Sequence, residues 1–185
     1  ANALEIDRML GWITHGNYAL LACTLAYPTD LSDANLGRIE VIRRLFGGLV
    51  GYSDHTIGSQ VATPAATLGA VVLEKHFTTD PRGPVPDDQM AATPEVLKDY
   101  VIRAHVGVKL RGTARLEPCD AEARARGGAR RSLCAARDLD PGHTLQYDDI
   151  IPLRPGGGIE PWRVEEIVGR VLPHGCTRGQ RLELP

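Results

Sequence analysis

The sequence predicts an α/β fold with parallel strands in residues 1–112 and a small, mostly β domain in residues 130–185. In the first region, apolar strand-like segments alternate with helical segments, which is the order of successive βα units. These strand-like segments are apolar on both faces, as parallel strands covered by helices must be. In the second region, short strand-like segments are separated by Pro-Gly and Gly-rich turns, which predicts a separate fold.

The elements of the first region are predicted from hydrophobic spacing and end signals. The last helix has the clearest ends, because Thr93 is a typical N-cap, Pro94 suits the first helical position and Gly112 follows the end. The predicted helices cover residues 1–13, 35–46, 59–68 and 93–111, and the predicted strands cover residues 18–27, 49–55 and 71–78.

The second region is separated from the first by residues 113–129, which are polar and rich in arginine and glycine. That composition predicts a flexible linker. Beyond it, strands are predicted at residues 132–136 and 180–184, with one helix at residues 161–168.

The number of strands limits what the first region can form. A complete (βα)8 barrel needs about 250 residues, and three strands cannot close one. The outer strands would then have exposed edges, so we expect either that the rest of a barrel has been lost or that another polypeptide supplies it. Because the chain already opens in a helical pattern, we expect it to be cut from a longer one.

Composition excludes several classes of protein. The net charge of −2 gives no reason to expect nucleic-acid binding. No apolar run reaches the length of about 18 residues needed to cross a membrane, and no signal peptide is visible. The four cysteines lie far apart without a CxxC pair, which predicts reduced thiols in a cytoplasmic protein rather than a zinc site.

Two strand ends, GYSDHT and EKHFT, carry the strongest chemical signal. Side chains alternate along a strand, so Ser53 and His55 share one face, as do Glu74 and His76. Functional residues of βα folds gather at the carboxyl ends of strands. The two imidazoles could hold one divalent cation together with water and substrate, or they could be hydrogen-bonded core groups.

Two loops carry weaker signals. Asp87 lies in the proline-stiffened segment RGPVPDD, where it could contact a hydroxyl-rich ligand or be a solvated turn residue. Arg154 precedes Pro155 and three glycines. An arginine held there could make a bidentate contact to an oxygen-rich ligand, although glycine-rich turns are common.

The chain resembles the N-acetylneuraminate synthase (sialic acid synthase) family, which includes the legionaminate and pseudaminate synthases. The resemblance covers the whole chain and is carried by YALLACTLAYPT, VGYSDHTIG, VVLEKHFTTD, the Pro-Asp of the following loop, ARRSL and PLRPGGGI, in the family's order and spacing. It implies that the first region is the last three βα units of a TIM-type barrel. It also implies that the second region is a SAF domain, the antifreeze-like β-clip module.

The resemblance further implies an activity, namely the condensation of phosphoenolpyruvate with an N-acetylmannosamine-like amino sugar and the release of phosphate. His55 and His76 match the pair that holds a catalytic divalent metal, Mn²⁺ first, with Mg²⁺ or Co²⁺ as alternatives. Tyr27 and Ser53 match residues near phosphoenolpyruvate. Glu74 faces the same way as His76 and is a weaker catalytic candidate.

The resemblance also implies how the sugar is bound. Asp87 matches a loop aspartate that contacts the sugar. Arg154 matches an arginine of the SAF domain that reaches the sugar in the partner subunit of a domain-swapped homodimer.

The chain departs from the family pattern in ways that keep alternatives open. Ala22 stands in place of a histidine, Leu25 in place of a polar residue and Val85 in place of a glycine. The lysines and the carboxylate used for phosphoenolpyruvate belong to earlier strands that this chain lacks. We therefore expect either a synthase half that needs its amino-terminal half barrel, or a non-catalytic remnant whose SAF domain serves in carbohydrate binding or assembly. The SAF domain opposes a third alternative, another phosphoenolpyruvate-using barrel enzyme.

Overall fold

The chain forms two units, Ala1–Ala114 and a second unit that begins at Arg115. The structure, a computed structural model, describes residues 1–13 and 15–183. No helix among these residues is long and apolar enough to cross a membrane. Each unit has its own hydrophobic core and is described by itself.

A three-stranded parallel sheet forms the centre of the first unit, in the order β1-β2-β3. The strands are β1 (Ala19–Cys23), β2 (Leu49–Asp54) and β3 (Leu73–Lys75). The prediction of three parallel strands is confirmed, and each strand is shorter than the predicted segment. Gly51 is required in the central strand, because a Cβ atom there would collide with the Val72 carbonyl oxygen.

Four helices accompany this sheet. They are α1 (Ala3–Trp12), α2 (Gly37–Phe46), α3 (Ala62–Thr67) and α4 (Pro94–Arg111), with short 3-10 turns at Leu31–Asp33 and Pro86–Gln89. As predicted, the Thr93 side chain caps α4 by accepting from the Val96 amide at 3.4 Å, and the helix ends at Gly112. Residue 14 lies outside the described residues.

The described strands do not close into a barrel. β1 and β3 each pair with β2 on one side only within residues 1–13 and 15–183, and exposed apolar side chains flank both strands. These include Tyr18, Leu25, Val71, Val72 and Phe77. The fold of this unit is therefore α/β with a parallel sheet, and its place in a TIM-type barrel stays a prediction.

The described residues of the second unit form one α-helix, short 3-10 turns and a two-stranded antiparallel sheet. Helix α5 (Asp120–Ala129) precedes β4 (Ser132–Ala135) and β5 (Ile150–Leu153). A 3-10 helix, Pro161–Glu166, takes the place of the helix predicted at residues 161–168. The core is made by the buried side chains of Leu133, Ala135, Leu139, Leu145, Ile167, Leu172 and Leu182.

Two predictions for this unit differ from the structure. The segment 113–129, predicted as a flexible linker, contains α5, whose first turn is fixed when the Glu122 carboxylate accepts from the Cys119 amide at 2.8 Å. The Gly127 carbonyl accepts from the Gly156 amide at 2.8 Å, so the helix is tied to a loop of the same unit. The strand predicted at residues 180–184 is reduced to a single bridge at Arg181, and residue 184 lies outside the described residues.

Candidate functional site

Three aromatic rings meet beyond the carboxyl ends of the parallel strands. The ring centroids of His55 and His76 are 5.2 Å apart, and the Tyr27 ring lies 4.3 Å from His55 and 6.0 Å from His76. His55 follows β2, and His76 follows β3. The structure thus brings together both predicted metal ligands and one predicted substrate contact, and we call His55, His76 and Tyr27 the three-ring cluster.

The surroundings of His55 define which ring nitrogen is free. Its Nδ1 atom lies 3.0 Å from the Thr24 carbonyl oxygen, which can only accept a hydrogen bond. An acceptor at this position favours the proton on Nδ1, which would leave Nε2 the lone pair that a metal ion requires, and the Cys23 sulfur lies 3.7 Å from the same Nδ1 atom. The backbone is fixed as well, because the His55 carbonyl accepts from the Thr29 amide at 2.8 Å. His55 is buried, with 5% of its surface exposed.

His76 has a carboxylate as its neighbour. Its Nδ1 atom lies 3.4 Å from Asp87 Oδ2, and both side chains are partly exposed. A carboxylate beside Nδ1 would favour the proton there and leave Nε2 available, which is the arrangement of the carboxylate–histidine pairs found around metal ions. The structure thus places Asp87 beside a predicted metal ligand, whereas the sequence resemblance implied a contact with the sugar.

Ser53 and Glu74 form a second polar pair on neighbouring strands. They are register partners in the sheet, and Ser53 Oγ donates to Glu74 Oε1 at 2.7 Å. Ser53 is buried and Glu74 is exposed. Because side chains alternate along a strand, Ser53 shares its face of the sheet with His55.

Sequence reasoning missed an ion pair between the same two strands. Lys75 Nζ lies 3.1 Å from Asp54 Oδ2, and the two side chains are 2% and 0% exposed. Tyr100 of α4 covers this pair, and burial together with the Asp54 charge raises the pKa of its hydroxyl. The signal was present as two opposite charges in GYSDHT and EKHFT, next to the functional positions on otherwise apolar strands.

The chemistry of the donor atoms fits a divalent cation. Two imidazoles with Nδ1 next to oxygen acceptors can each offer a lone pair on Nε2. Residues 1–13 and 15–183 contain no cluster of three or more histidine, cysteine, aspartate or glutamate side chains that could hold an ion. The chain would thus supply two protein ligands and leave the other positions to water or substrate.

Ala22 and Leu25, the two residues near β1 that depart from the family pattern, have different surroundings in the first unit. Ala22 is 2% exposed and belongs to the core, so a small apolar residue fits its surroundings here. Leu25 is 84% exposed. It therefore leaves no buried polar partner unpaired among the described residues of this unit.

Arg154 belongs to the second unit and follows β5. The glycine-rich loop after it is held by Ser132, whose Oγ donates to the Pro155 carbonyl at 3.0 Å and accepts from the Gly158 amide at 2.9 Å. Arg154 is exposed and makes no ion pair with another described residue. Its guanidinium is free to meet an anionic or hydroxyl-rich group.

Family comparisons agree with this division of the chain. Residues 1–115 match the NeuB family, and residues 130–180 match the SAF domain. The chain is 39% identical over 163 residues to N,N'-diacetyllegionaminic acid synthase of Legionella pneumophila, covering 88% of this chain and 46% of the relative. It is 34% identical over 160 residues to pseudaminic acid synthase of Helicobacter pylori, covering 85% of this chain and 46% of the relative.

Solved structures show the same relationship. N-acetylneuraminic acid synthetase of Leptospira borgpetersenii is similar over 67% of this chain and 44% of that protein, with a TM-score of 0.63 and 31% identity. A spore coat polysaccharide biosynthesis protein E of Chromobacterium violaceum shares the fold over 99% of this chain and 56% of that protein, with a TM-score of 0.74 and 22% identity. The chain spans about half the length of the curated relatives it matches.

The NeuB match over residues 1–115 contains the paired histidines after β2 and β3, and the SAF match over residues 130–180 follows it, so this chain belongs to the NeuB family and carries a SAF domain.

Proposed function

We propose that the chain carries the metal-binding part of the active site of a nonulosonic acid synthase. The reaction condenses phosphoenolpyruvate with an open-chain amino sugar of the N-acetylmannosamine type and releases phosphate. The observation that carries this proposal is the pairing of His55 and His76, with ring centroids 5.2 Å apart beyond the strand ends. The similar proteins are synthases of legionaminic, pseudaminic and N-acetylneuraminic acids, which supports the product class.

His55 and His76 would hold the cation, with Mn²⁺ first and Mg²⁺ or Co²⁺ as alternatives. Such an ion, when bound, supplies Lewis-acid polarisation of the aldehyde oxygen of the sugar. The Thr24 carbonyl, 3.0 Å from His55 Nδ1, and the Asp87 carboxylate, 3.4 Å from His76 Nδ1, would favour the ring protons on Nδ1 and help to orient the rings. The chain would thereby present two nitrogen donors to the ion.

The remaining residues would bind and orient the substrates. Tyr27, half exposed beside both histidines, offers a ring surface next to phosphoenolpyruvate. Ser53 and Glu74 form a hydrogen-bonded pair near the carboxyl ends of β2 and β3. Carbon 3 of phosphoenolpyruvate attacks the aldehyde carbon, water adds at carbon 2, and phosphate leaves by cleavage of the C–O bond.

Two further parts would complete the site. The lysines that contact phosphoenolpyruvate would come from an amino-terminal half barrel, which would pair with the open sheet of the first unit. Arg154 would come from the SAF domain of the other subunit in a domain-swapped homodimer and would contact the sugar. Its exposure and its lack of an ion-pair partner among the described residues support that role.

The experiment combines this chain with the amino-terminal half of the Legionella pneumophila synthase and measures phosphate release. Phosphoenolpyruvate, Mn²⁺ and a panel of N-acetylmannosamine-type sugars are supplied, with His76→Ala as the comparison. We expect phosphate release with at least one sugar and its loss in His76→Ala. If release is the same in both chains, the proposal is wrong. If no sugar supports release while the chain binds oligosaccharide, the non-catalytic carbohydrate-binding alternative is correct.

A further inference from the structure

The buried Asp54–Lys75 pair joins the two strands that lead to the histidines. Asp54 and Lys75 are register partners in β2 and β3, and their side chains are almost completely buried. Asp54 immediately precedes His55, and Lys75 immediately precedes His76. Because side chains alternate along a strand, the pair lies on the face of the sheet opposite to Ser53 and Glu74.

Both members of the pair also hold Thr56, the residue that follows His55. Asp54 Oδ1 accepts from the Thr56 amide at 2.9 Å and from the Thr56 hydroxyl at 2.8 Å. Lys75 Nζ donates to the Thr56 carbonyl at 2.5 Å. The turn that contains His55 is therefore fixed at the residue before it and at the residue after it, and it is tied to the strand that carries His76.

Stability alone is a poor explanation for this arrangement. Two buried charges lose their hydration, and replacing such a pair with packed apolar side chains is often neutral or stabilising. An apolar pair could not form the three directional bonds to Thr56. Tyr100, which is 3% exposed, packs over the pair, with Lys75 Nζ 5.5 Å from its ring centroid, and keeps water away from these bonds.

We propose that Asp54 and Lys75 are positioning residues that set the separation and orientation of His55 and His76. The inference rests on the proposed function, because it assigns the two histidines to one metal ion. The pair acts through the residues on both sides of His55 and through the residue before His76, and it would touch neither the ion nor the substrates.

The test compares an apolar pair with the native one. In the double variant Asp54→Leu/Lys75→Met, each side chain keeps its number of heavy atoms to within about one, and the bonds to Thr56 are lost. The matched control is Arg103→Met, which removes the cation of an exposed ion pair with Asp99 on the same unit. The whole chain is used, and three quantities are measured: the unfolding midpoint, the affinity for Mn²⁺ by calorimetry and the tautomer of each histidine by long-range ¹H–¹⁵N NMR.

We expect the double variant to stay folded, to bind Mn²⁺ at least about tenfold more weakly and to lose the single Nδ1–H tautomer of His55. The control should match the native chain in all three measurements. The inference is overturned if the double variant keeps both the native Mn²⁺ affinity and the native tautomer.

Two further outcomes remain decisive. If the double variant does not fold, Thr56→Val takes its place, since it removes only the hydroxyl bond to Asp54. A weaker Mn²⁺ affinity and mixed His55 tautomers at an unchanged unfolding midpoint then support the inference. Native values of the affinity and the tautomer refute it. If the native chain binds no Mn²⁺, the metal-binding proposal fails. The tautomer comparison then still shows whether the pair positions His55.

Discussion

At the scale of single residues, the contact between Asp87 and His76 separates two roles for one carboxylate. A carboxylate that contacts only the sugar would leave metal binding unchanged when it is removed. If the carboxylate instead orients His76, its removal would weaken metal binding, because the hydrogen-bond partners of metal-binding histidines typically contribute about 10–100-fold to metal affinity. The distance of 3.4 Å between Nδ1 and Oδ2 favours the orienting role.

We therefore predict that Asp87→Asn weakens Mn²⁺ binding by about tenfold, because the amide no longer holds the imidazole proton with a full charge. The measurement is a calorimetric titration of the chain with Mn²⁺. Asp88→Asn is the matched control, since Asp88 lies in the same turn but accepts from the Val85 amide instead. Equal affinities for Asp87→Asn and the native chain would refute the orienting role.

Residue patterns predicted the histidines but not everything that holds them. Strand alternation and the rule of strand ends were sufficient to place His55 and His76 together. The Asp87 contact could not be foreseen, because it depends on the path of the loop around Pro86. The Asp54–Lys75 pair was missed because buried charges are rare in apolar strands, and because their pairing requires the register of the sheet.

At the scale of elements, the central strand depends on a glycine. We predict that Gly51→Ala lowers the free energy of unfolding by about 1–3 kcal/mol, because a Cβ atom would meet the Val72 carbonyl and the Leu21 side chain. Gly37→Ala, in an open position of α2, should be neutral or slightly stabilising, because alanine favours a helix. Urea unfolding of both variants measures the difference, and equal midpoints would contradict the close packing of β2.

The second unit has its own buried carboxylate. Asp149 accepts from Arg137, from His143 and from the Gln146 amide. Burial alone would raise the pKa of Asp149, but these donors outweigh it and lower the pKa to about 2. Because the unfolded value is about 3.9, the carboxylate stabilises the unit above about pH 4, and this contribution is lost as the pH falls towards 2.

We predict that the unfolding temperature of the second unit falls between about pH 4 and pH 2 in the native chain, and falls less in Asp149→Asn. Trp162 fluorescence in a Trp12→Phe background reports this unit, since Trp12 belongs to the first. Parallel pH curves for the two chains would show that Asp149 does not carry this dependence.

Helix α5 lies where the sequence predicted a flexible linker. Its sequence, DAEARARGGA, combines helix-forming alanines and arginines with two glycines, and the glycines and the polarity favoured a linker. The deciding contacts lie outside the segment: the Gly156 amide, far along the chain, donates to the Gly127 carbonyl. The short strand-like segments that begin after residue 130 in the sequence coincide with the SAF match, which covers residues 130–180.

At the scale of the whole molecule, the proposed homodimer makes activity depend on two subunits. In a chain joined to an amino-terminal half barrel, we predict that Arg154→Ala weakens sugar use much more than metal binding, because it removes a ligand contact only. Mixing this variant with His76→Ala should restore part of the activity, since some dimers pair an intact barrel with an intact capping domain. If heterodimers form and no activity returns, Arg154 does not act across subunits.

The central claim is that one metal ion is held by two histidines from neighbouring strands. Pulsed electron paramagnetic resonance of the chain loaded with Mn²⁺ tests it directly, because each imidazole ligand adds a nitrogen coupling to the ion's signal. We expect couplings from two imidazoles in the native chain and from one in His55→Ala and in His76→Ala. A native spectrum without nitrogen coupling, or one unchanged by either substitution, would contradict it.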